Sequence, residues 1–181
     1  MRIQAPFVLT VPRIIPADGR ILYFGRDRTA FGFLSHFFPS PIDLDGETWP
    51  TVEHFYQAQK SDDPDYRDAI RATLSPGFAK RLAAPPTAPR RISQNSWFKR
   101  NGREPRSDWH DVKADIMRRA DRAKFEQNAD LAAMLLETGN AELIEDSPGE
   151  PFWGVGPDGN GGNWAGRILM EIRRSMVSGR E

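Results

Sequence analysis

The sequence of 181 residues contains no cysteine. This absence excludes disulfide bonds, thiolate metal ligands and a cysteine nucleophile, and it is typical of a cytoplasmic protein. The three histidines are His36, His54 and His110, and no two of them have the spacing of metal ligands. We therefore expect a cytoplasmic protein whose functional site holds no metal ion.

Long apolar runs are also missing. No run approaches the roughly 20 residues that a membrane-spanning helix needs, and residues 1–15 lack the apolar centre of a secretory signal. With 39% hydrophobic and 28% charged residues, the composition is that of an ordinary globular domain. We predict one domain over residues 20–178, preceded by a tail or lead-in over residues 1–19, and no membrane partner.

The chain has no net charge, because 25 basic residues balance 25 acidic ones. The distribution is nevertheless uneven. Residues 80–106 contain eight basic residues and one acid, whereas residues 125–166 contain eight acids and neither lysine nor arginine. The basic segment is suited to phosphate and the acidic one to supplying carboxylates, but the two can also simply neutralise each other across the surface.

Hydrophobic periodicity predicts a mainly α fold with a few short β strands (α+β), in one compact helical domain. Strands are expected at 21–24 and 141–145, and a hairpin at 41–49 turns at Asp45 and Gly46. Residues 84–106 and 147–162 are predicted to be loops. Helices are predicted at about 51–60, 64–73, 76–83, 108–127, 129–138 and 163–177.

The segment from Asp45 to Lys60 contains the strongest functional pattern. Thr51 can cap a helix on which Glu53 and Lys60, seven residues apart, lie near one face. A carboxyl group beside aromatic side chains can transfer protons, and a desolvated lysine can attack a sugar carbonyl to form a Schiff base. Lysine is scarce here, with five against twenty arginines. The alternative is an exposed helical stripe with a weak charge pair.

Two aromatic segments offer ligand contacts. Trp97, in the predicted basic loop, can stack on a base while neighbouring cations hold phosphates, or it can pack back onto the core. Asp146 precedes Trp153, which is followed by glycines that allow backbone to approach a ligand. His36 and His54 are either hydrogen-bonding groups of a pocket wall or satisfied structural histidines.

The chain resembles the NADAR family in a series of blocks that follow in order between residues 22 and 174. These are FGFLSHF at 31–37, Pro41-Ile42, Asp45-Gly46, WPTVEHFYQAQK at 49–60, Ser75-Pro76, Ala79-Lys80, Asp108-Trp109, Lys124-Phe125, Gln127-Asn128, Leu135-Leu136, Thr138-Gly139, Leu143-Ile144-Glu145, Trp153-Gly154 and an Asn163…Gly166…Leu169-Met170 pattern. The block from Trp49 to Lys60 is specific.

This resemblance implies a mainly helical N-glycosidase that acts on ribosyl-linked nitrogen compounds without a cofactor. Some members hydrolyse early intermediates of riboflavin biosynthesis. Others remove ADP-ribose from guanine in nucleic acid, sometimes as the antitoxin of a DNA ADP-ribosyltransferase, which would then be a toxin partner. The basic segment favours ADP-ribosylated guanine in DNA over a ribosylated small molecule as the substrate.

The resemblance also assigns roles to individual residues. It implies an acid/base role for Glu53, ribose capture through a Schiff base for Lys60, and water activation for Glu150, where the family usually has aspartate. His36 stands where the family usually has asparagine. The predicted substrate-binding residues are Phe24, Gly25, Phe33, Ser35, His36, Trp49, His54, Trp97, Trp109, Asp146, Trp153, Gly154 and Asn163.

Two further hypotheses remain open from the sequence. One is a non-catalytic module that binds ADP-ribose or NAD, in which the departure at Glu150 marks lost chemistry. The other is a helical nucleic-acid-binding domain without pocket chemistry, whose affinity would fall steeply with salt.

Overall fold

A computed structural model describes residues 15–24 and 30–178, so most of the predicted tail and Gly25 lie outside the described residues. The strands in this part are β1 (Arg20–Tyr23), β2 (Ile42–Leu44), β3 (Glu47–Trp49) and β4 (Glu142–Glu145). The helices are α1 (Val52–Ala58), α2 (Pro64–Arg71), α3 (Pro76–Leu82), α4 (Arg90–Ser93), α5 (Trp97–Asn101), α6 (Trp109–Gln127), α7 (Ala129–Glu137) and α8 (Trp164–Ser178). The predicted mainly α fold with short strands is confirmed. None of these helices is long and apolar enough to cross a membrane.

The predicted hairpin forms as β2 and β3. Asp45 and Gly46 both have positive φ, 58° and 78°, as a tight two-residue hairpin turn requires. The strands pair antiparallel with Ile42 opposite Trp49. Both of these side chains are buried, so the hairpin anchors the start of α1 to the core.

Helix α1 lies at the centre of the fold. The Thr51 hydroxyl accepts a hydrogen bond from the His54 backbone N–H at 3.3 Å, which confirms the predicted cap. All seven residues of the helix are buried, because it packs against α2, α3 and α6. The helix ends at Ala58, so Lys60 lies in the turn beyond it rather than on the predicted last turn.

A second anchor joins the two ends of the domain. Strand β1 pairs in parallel with β4, with Tyr23 opposite Glu145, and α8 packs against β4. The side chain of Asn163 binds the strand backbone, because its Nδ2 donates to the Leu143 carbonyl at 2.9 Å and its Oδ1 accepts from the Glu145 N–H at 3.0 Å. Asn163 therefore fixes the strand end that carries Glu145.

Gly166 allows the close contact between α8 and β4, and its replacement with alanine should destabilise the fold. A Cβ at this position would lie 2.0 Å from the Leu143 carbonyl oxygen. We expect the free energy of unfolding to fall by about 3 kcal/mol, although alanine is the better helix former by about 1 kcal/mol. Denaturant titration measures the loss. Gly149→Ala is the matched control because nothing lies within 4 Å of its added Cβ, and equal stability of the two variants would contradict the prediction.

The segment 84–106 is not the predicted long loop, because it contains α4 and α5. Ser96 caps α5 by accepting from the Lys99 N–H at 3.1 Å, and its own hydroxyl donates to the Ala84 carbonyl at 2.6 Å. Trp97 packs edge-on against Tyr66, with ring centroids 5.2 Å apart. The prolines of the segment obscured these short helices, each of which depends on contacts with the core.

Candidate active site

A cavity of about 310 Å³ opens beside α1. Its wall combines acids, lysines and aromatic rings drawn from most of the chain. The charged lining residues are Glu53, Lys60, Lys80, Lys113, Glu145 and Glu150, and the aromatic ones include Tyr56, Trp109 and Trp153. Ser35, His36 and Gln57 also line it. The cavity therefore gathers both signs of charge against an apolar wall, which suits a ligand that combines charged groups with a flat apolar part.

Glu53 is held inside this cavity by its own helix. Its side chain is only 5% exposed, and Oε1 accepts a hydrogen bond from Gln57 Nε2, one turn further along, at 2.8 Å. The Glu53 backbone N–H donates to the His36 carbonyl at 3.2 Å, which joins α1 to the preceding aromatic segment. A carboxyl group in this position is fixed in orientation and partly desolvated, as an acid/base group requires.

Lys60 approaches the same cavity from the turn after α1. Its Nζ donates to the Ala83 carbonyl at 3.2 Å and lies 5.4 Å from the centroid of the Trp109 ring. Burial lowers the pKa of Lys60 to about 8, although the charge of Glu53 raises it in part. A larger fraction of the molecules then carries a neutral, nucleophilic amine near neutral pH than an ordinary lysine would.

Glu150 forms an ion pair with Lys80, which was not predicted as a site residue. Its carboxylate accepts a hydrogen bond from the ammonium of Lys80 at the cavity rim. Burial lowers the pKa of Lys80, but the carboxylates of Glu53 and Glu150 raise it by more, so the net shift is upward. Glu150 is thus neutralised by a firmly charged partner, and its role in water activation stays a prediction.

A residue of α6 holds the side chain of His36. Its Nε2 lies 3.0 Å from Oδ2 of Asp121, a fully buried carboxylate. One turn along α6, Lys124 donates from Nζ to the carbonyls of Phe33 and Ser35 at 2.7 and 2.8 Å. Burial lowers the pKa of Lys124 to about 8. Two charged residues on one face of α6 therefore hold the segment that forms this wall of the cavity.

Glu145 ends β4 and reaches the cavity opposite α1. Burial raises its pKa, as do the carboxylates of Glu53 and Glu150, whereas His36 and Lys80 oppose the shift. One of its oxygens, Oε2, is buried and has no hydrogen-bond partner in the part of the chain that the structure describes. Such an atom is available to a bound ligand or water.

Seven predicted site residues line the cavity, namely Glu53, Lys60, Glu150, Ser35, His36, Trp109 and Trp153. Sequence reasoning missed several others, namely Tyr56, Gln57, Lys80, Lys113 and Glu145. Gln57 was detectable from its place on the stripe of Glu53 and Lys60. Lys80 and Glu145 stood in the oppositely charged segments, but only the fold shows that these segments meet at one cavity.

The other predicted binding residues lie outside the cavity lining. Phe33 and Trp49 are core side chains, Phe24 is 46% exposed, and Asp146 follows β4 beyond Glu145. Trp97 packs against α2, and Asn163 binds β4 as described above. Gly154 belongs to a tight loop contact, since a Cβ there would lie 2.5 Å from the Glu145 carbonyl oxygen. Gly25 lies outside the described residues.

His54 also faces away from the cavity, because it follows Glu53 by one position on the helix. Its Nδ1 lies 2.8 Å from the Thr51 hydroxyl, and its Nε2 lies 3.2 Å from the Thr73 carbonyl. Burial lowers the pKa of His54, which favours the neutral ring. Both ring nitrogens of His54 thus have protein partners, as in the structural alternative that its sequence context left open.

The described residues contain no cluster of three or more acidic, histidine or cysteine side chains placed to hold a metal ion.

Comparisons with known proteins show which family this chain is similar to. The family model of the NADAR domain matches residues 22–177. "N-glycosidase YbiA" of Shigella boydii serotype 4 (strain Sb227) is 41% identical over 158 residues, which are 87% of this chain and 89% of that protein. "Riboflavin biosynthesis protein VVA0006" of Vibrio vulnificus is 39% identical over 86% of this chain but only 38% of its own length. The NMR structure of E. coli YbiA matches with a TM-score of 0.71 at 34% identity, over 92% of this chain and 93% of that one.

Proposed function

The chain belongs to the NADAR domain family, and we propose that it is an N-glycosidase that hydrolyses the bond between C1′ of a phosphorylated ribose and the nitrogen of a base. The observation that carries this proposal is the enclosure of Glu53 and the amine of Lys60 in one cavity. The relatives named N-glycosidases support the same class of reaction, hydrolysis of an N-glycosyl bond.

The reaction requires negative charge near the sugar. Cleavage of a ribosyl C–N bond builds positive charge on C1′ and its ring oxygen, and glycoside hydrolases stabilise this charge with carboxylates. Glu53 and Glu145 reach the cavity from α1 and β4 and can serve this purpose. Glu53 then takes the acid/base role, whereas Lys60 can capture C1′ of an opened ribose as a Schiff base.

The lysines of the cavity rim suit a phosphate. Lys80 and Lys113 line the cavity, and Lys113 lies 3.6 Å from the centroid of the Phe152 ring, which restricts where its ammonium can lie. A phosphate at this rim would compete with Glu150 for Lys80. We therefore propose a phosphoribosylamino intermediate of riboflavin biosynthesis as the first substrate class, in keeping with the name of the Vibrio relative.

ADP-ribosylated guanine in nucleic acid is the second candidate substrate. Of the eight basic residues between 80 and 106, only Lys80 lines the cavity, which weakens the sequence argument for nucleic acid. In its favour, Arg90 and Arg91 are exposed and lie between Ala88 and Ile92, which both line the cavity. They can contact phosphates of a strand whose modified base enters it. A DNA ADP-ribosyltransferase partner stays a prediction attached to this candidate.

A comparison of kcat/KM between substrates tests the proposal. We expect release of ribose 5-phosphate from a phosphoribosylamino pyrimidine, with kcat/KM at least about tenfold above that of the dephosphorylated compound, since a desolvated charge-assisted contact contributes about 1.5–3 kcal/mol. Lys113→Met should remove this preference. The control Lys99→Met changes an exposed lysine outside the cavity lining and should keep it.

Guanine-ADP-ribosylated single-stranded DNA is assayed in parallel for released ADP-ribose. Faster release from this substrate would reverse the order of the two candidates. Absence of release from all three compounds, together with tight ADP-ribose binding by calorimetry, would replace the enzyme with a binding module.

A further inference from the structure

We infer that His36, held by Asp121, is a further catalytic residue of this chain: the acid that protonates the leaving nitrogen of the base. This inference rests on the proposed function and assigns a proton donor to it. Glu53 is thereby free to act on the water side of the reaction, so the two proton-transfer tasks fall to two different groups.

The position of the ring carries the inference. The imidazole of His36 lines the cavity and is 7% exposed, and its Nε2 is bonded to Asp121. Among the described residues, no hydrogen bond reaches its other nitrogen, Nδ1. Trp153 meets the ring edge-on, with centroids 6.2 Å apart and planes at 84°, which restricts its rotation. One ring nitrogen is thus anchored in the protein and the other is left for a ligand in the cavity.

Asp121 is positioned to stabilise the protonated form of His36. It is fully buried on α6, and its Oδ1 has no hydrogen-bond partner among the described residues. A buried carboxylate is costly unless cations offset its charge, and a protonated imidazole 3.0 Å away adds one to the more distant charge of Lys124. The backbone around His36 is fixed independently, by Lys124 on the Ser35 carbonyl and by the Glu53 N–H on the His36 carbonyl.

The other charges around the ring act in the same direction. Carboxylates reach it from three elements: Asp121 from α6, Glu145 from β4 and Glu53 from α1. Tyr23 of β1 lies near Glu145 and Asp121, and its raised pKa keeps the phenol neutral. Burial lowers the pKa of His36, but the three carboxylates raise it by more, so the net shift is upward. The charged, proton-donating form therefore persists to a higher pH than it does in an ordinary histidine.

The step balances without a co-reactant. The bond between C1′ and nitrogen breaks with its electron pair going to nitrogen, and the proton on Nδ1 of His36 moves to that nitrogen. Water adds its oxygen to C1′, directly or after Lys60 has captured this carbon as a Schiff base and then leaves as the free amine, and the proton of the water passes to the carboxylate of Glu53. The proton on Glu53 then returns to His36 through solvent, so sugar and free amine are the only products.

Two substrates separate this role from a structural one. A phosphoribosylamino pyrimidine leaves as an amine that needs a proton, whereas an N-ribosylpyridinium 5′-phosphate releases a neutral pyridine without one. We expect His36→Asn to lower kcat about 10²- to 10⁴-fold on the first substrate and less than about tenfold on the second. Asparagine, which the family usually has at this position, keeps a hydrogen-bond donor of similar size but cannot release a proton, so the loss of rate would mark the acid as particular to this chain. His110→Asn, at an exposed position, is the matched control.

The pH profile provides the second readout. In the wild type, kcat should fall on the alkaline side as His36 loses its proton. Asp121→Asn should move this limb to lower pH, because the neutral amide no longer stabilises the imidazolium. His36→Asn should abolish the limb. Circular dichroism shows whether each variant is folded. If His36→Asn does not fold, movement of the alkaline limb in Asp121→Asn tests the role of His36.

The outcomes distinguish this inference from the proposed function. If the wild type hydrolyses neither substrate, the proposed function fails, and this inference with it. If the wild type is active and His36→Asn keeps its rate, or loses it equally on both substrates with an unmoved alkaline limb in Asp121→Asn, then His36 is not the acid.

Discussion

Replacing Glu53 with glutamine is expected to lower kcat by about 10³-fold while the protein stays folded, since general acid/base catalysis typically contributes 10²- to 10⁴-fold. The amide has nearly the same shape, and its oxygen can still accept the hydrogen bond that Gln57 donates. It can neither take a proton from water nor stabilise positive charge on the ribose. The rate of base release under saturating substrate measures the change.

The control for this variant is Glu104→Gln, which alters an exposed acid outside the cavity lining. It should retain the wild-type rate, and the melting temperatures of both variants should remain within a few degrees of the wild type. If Glu53→Gln is folded and still turns over substrate at a wild-type rate, the assignment of Glu53 is wrong and Glu145 becomes the carboxylate to test.

Replacing Lys60 with arginine should lower kcat by about 10²-fold or more if its amine captures the ribose, because arginine keeps the positive charge but forms no Schiff base. The pKa of Lys60, lowered to about 8 by burial, makes the neutral amine more abundant as pH rises towards 8. In the wild type we therefore expect kcat to fall as the pH is lowered below 8, because the Lys60 amine becomes protonated.

Chemical trapping provides a direct measurement for Lys60. Borohydride added during turnover should leave a stable ribosyl phosphate adduct on Lys60, detectable by the mass of the peptide that contains it. The Lys60→Arg variant should show no adduct, whereas Lys99→Arg should react like the wild type. A Lys60→Arg variant with full activity would leave Lys60 only an electrostatic role.

Local sequence rules predicted the central element well. The hairpin turn at Asp45 and Gly46 and the cap at Thr51 depend on residues a few positions apart, and both form as expected. Glu53 and Lys60, predicted to lie near one face of this helix, both line the cavity, although Lys60 lies beyond the helix end. The helix end was predicted two residues too late, because the C-terminal turn carries no glycine or proline to mark it.

Distant contacts decided which of the predicted binding residues line the cavity. Trp97 has the sequence context of a stacking residue, but Tyr66 offers it a partner in the core. His54 and Asn163 stand in family blocks, yet both are hydrogen-bonded to backbone outside the cavity lining. A motif indicates that a residue type is needed, but it does not say whether the need is for structure or for chemistry.

The sequence by itself determined the class of this protein: a mainly helical domain of the NADAR family, with an acid and a lysine seven residues apart. Only the tertiary structure decided what surrounds that pair. The pairing of Lys80 with Glu150 spans 70 residues and that of His36 with Asp121 spans 85, distances over which sequence periodicity carries no information. Burial and nearby charges set the pKa values of Lys60 and His36. The chemistry of the site could therefore be inferred only from the tertiary structure, in which these segments pack together.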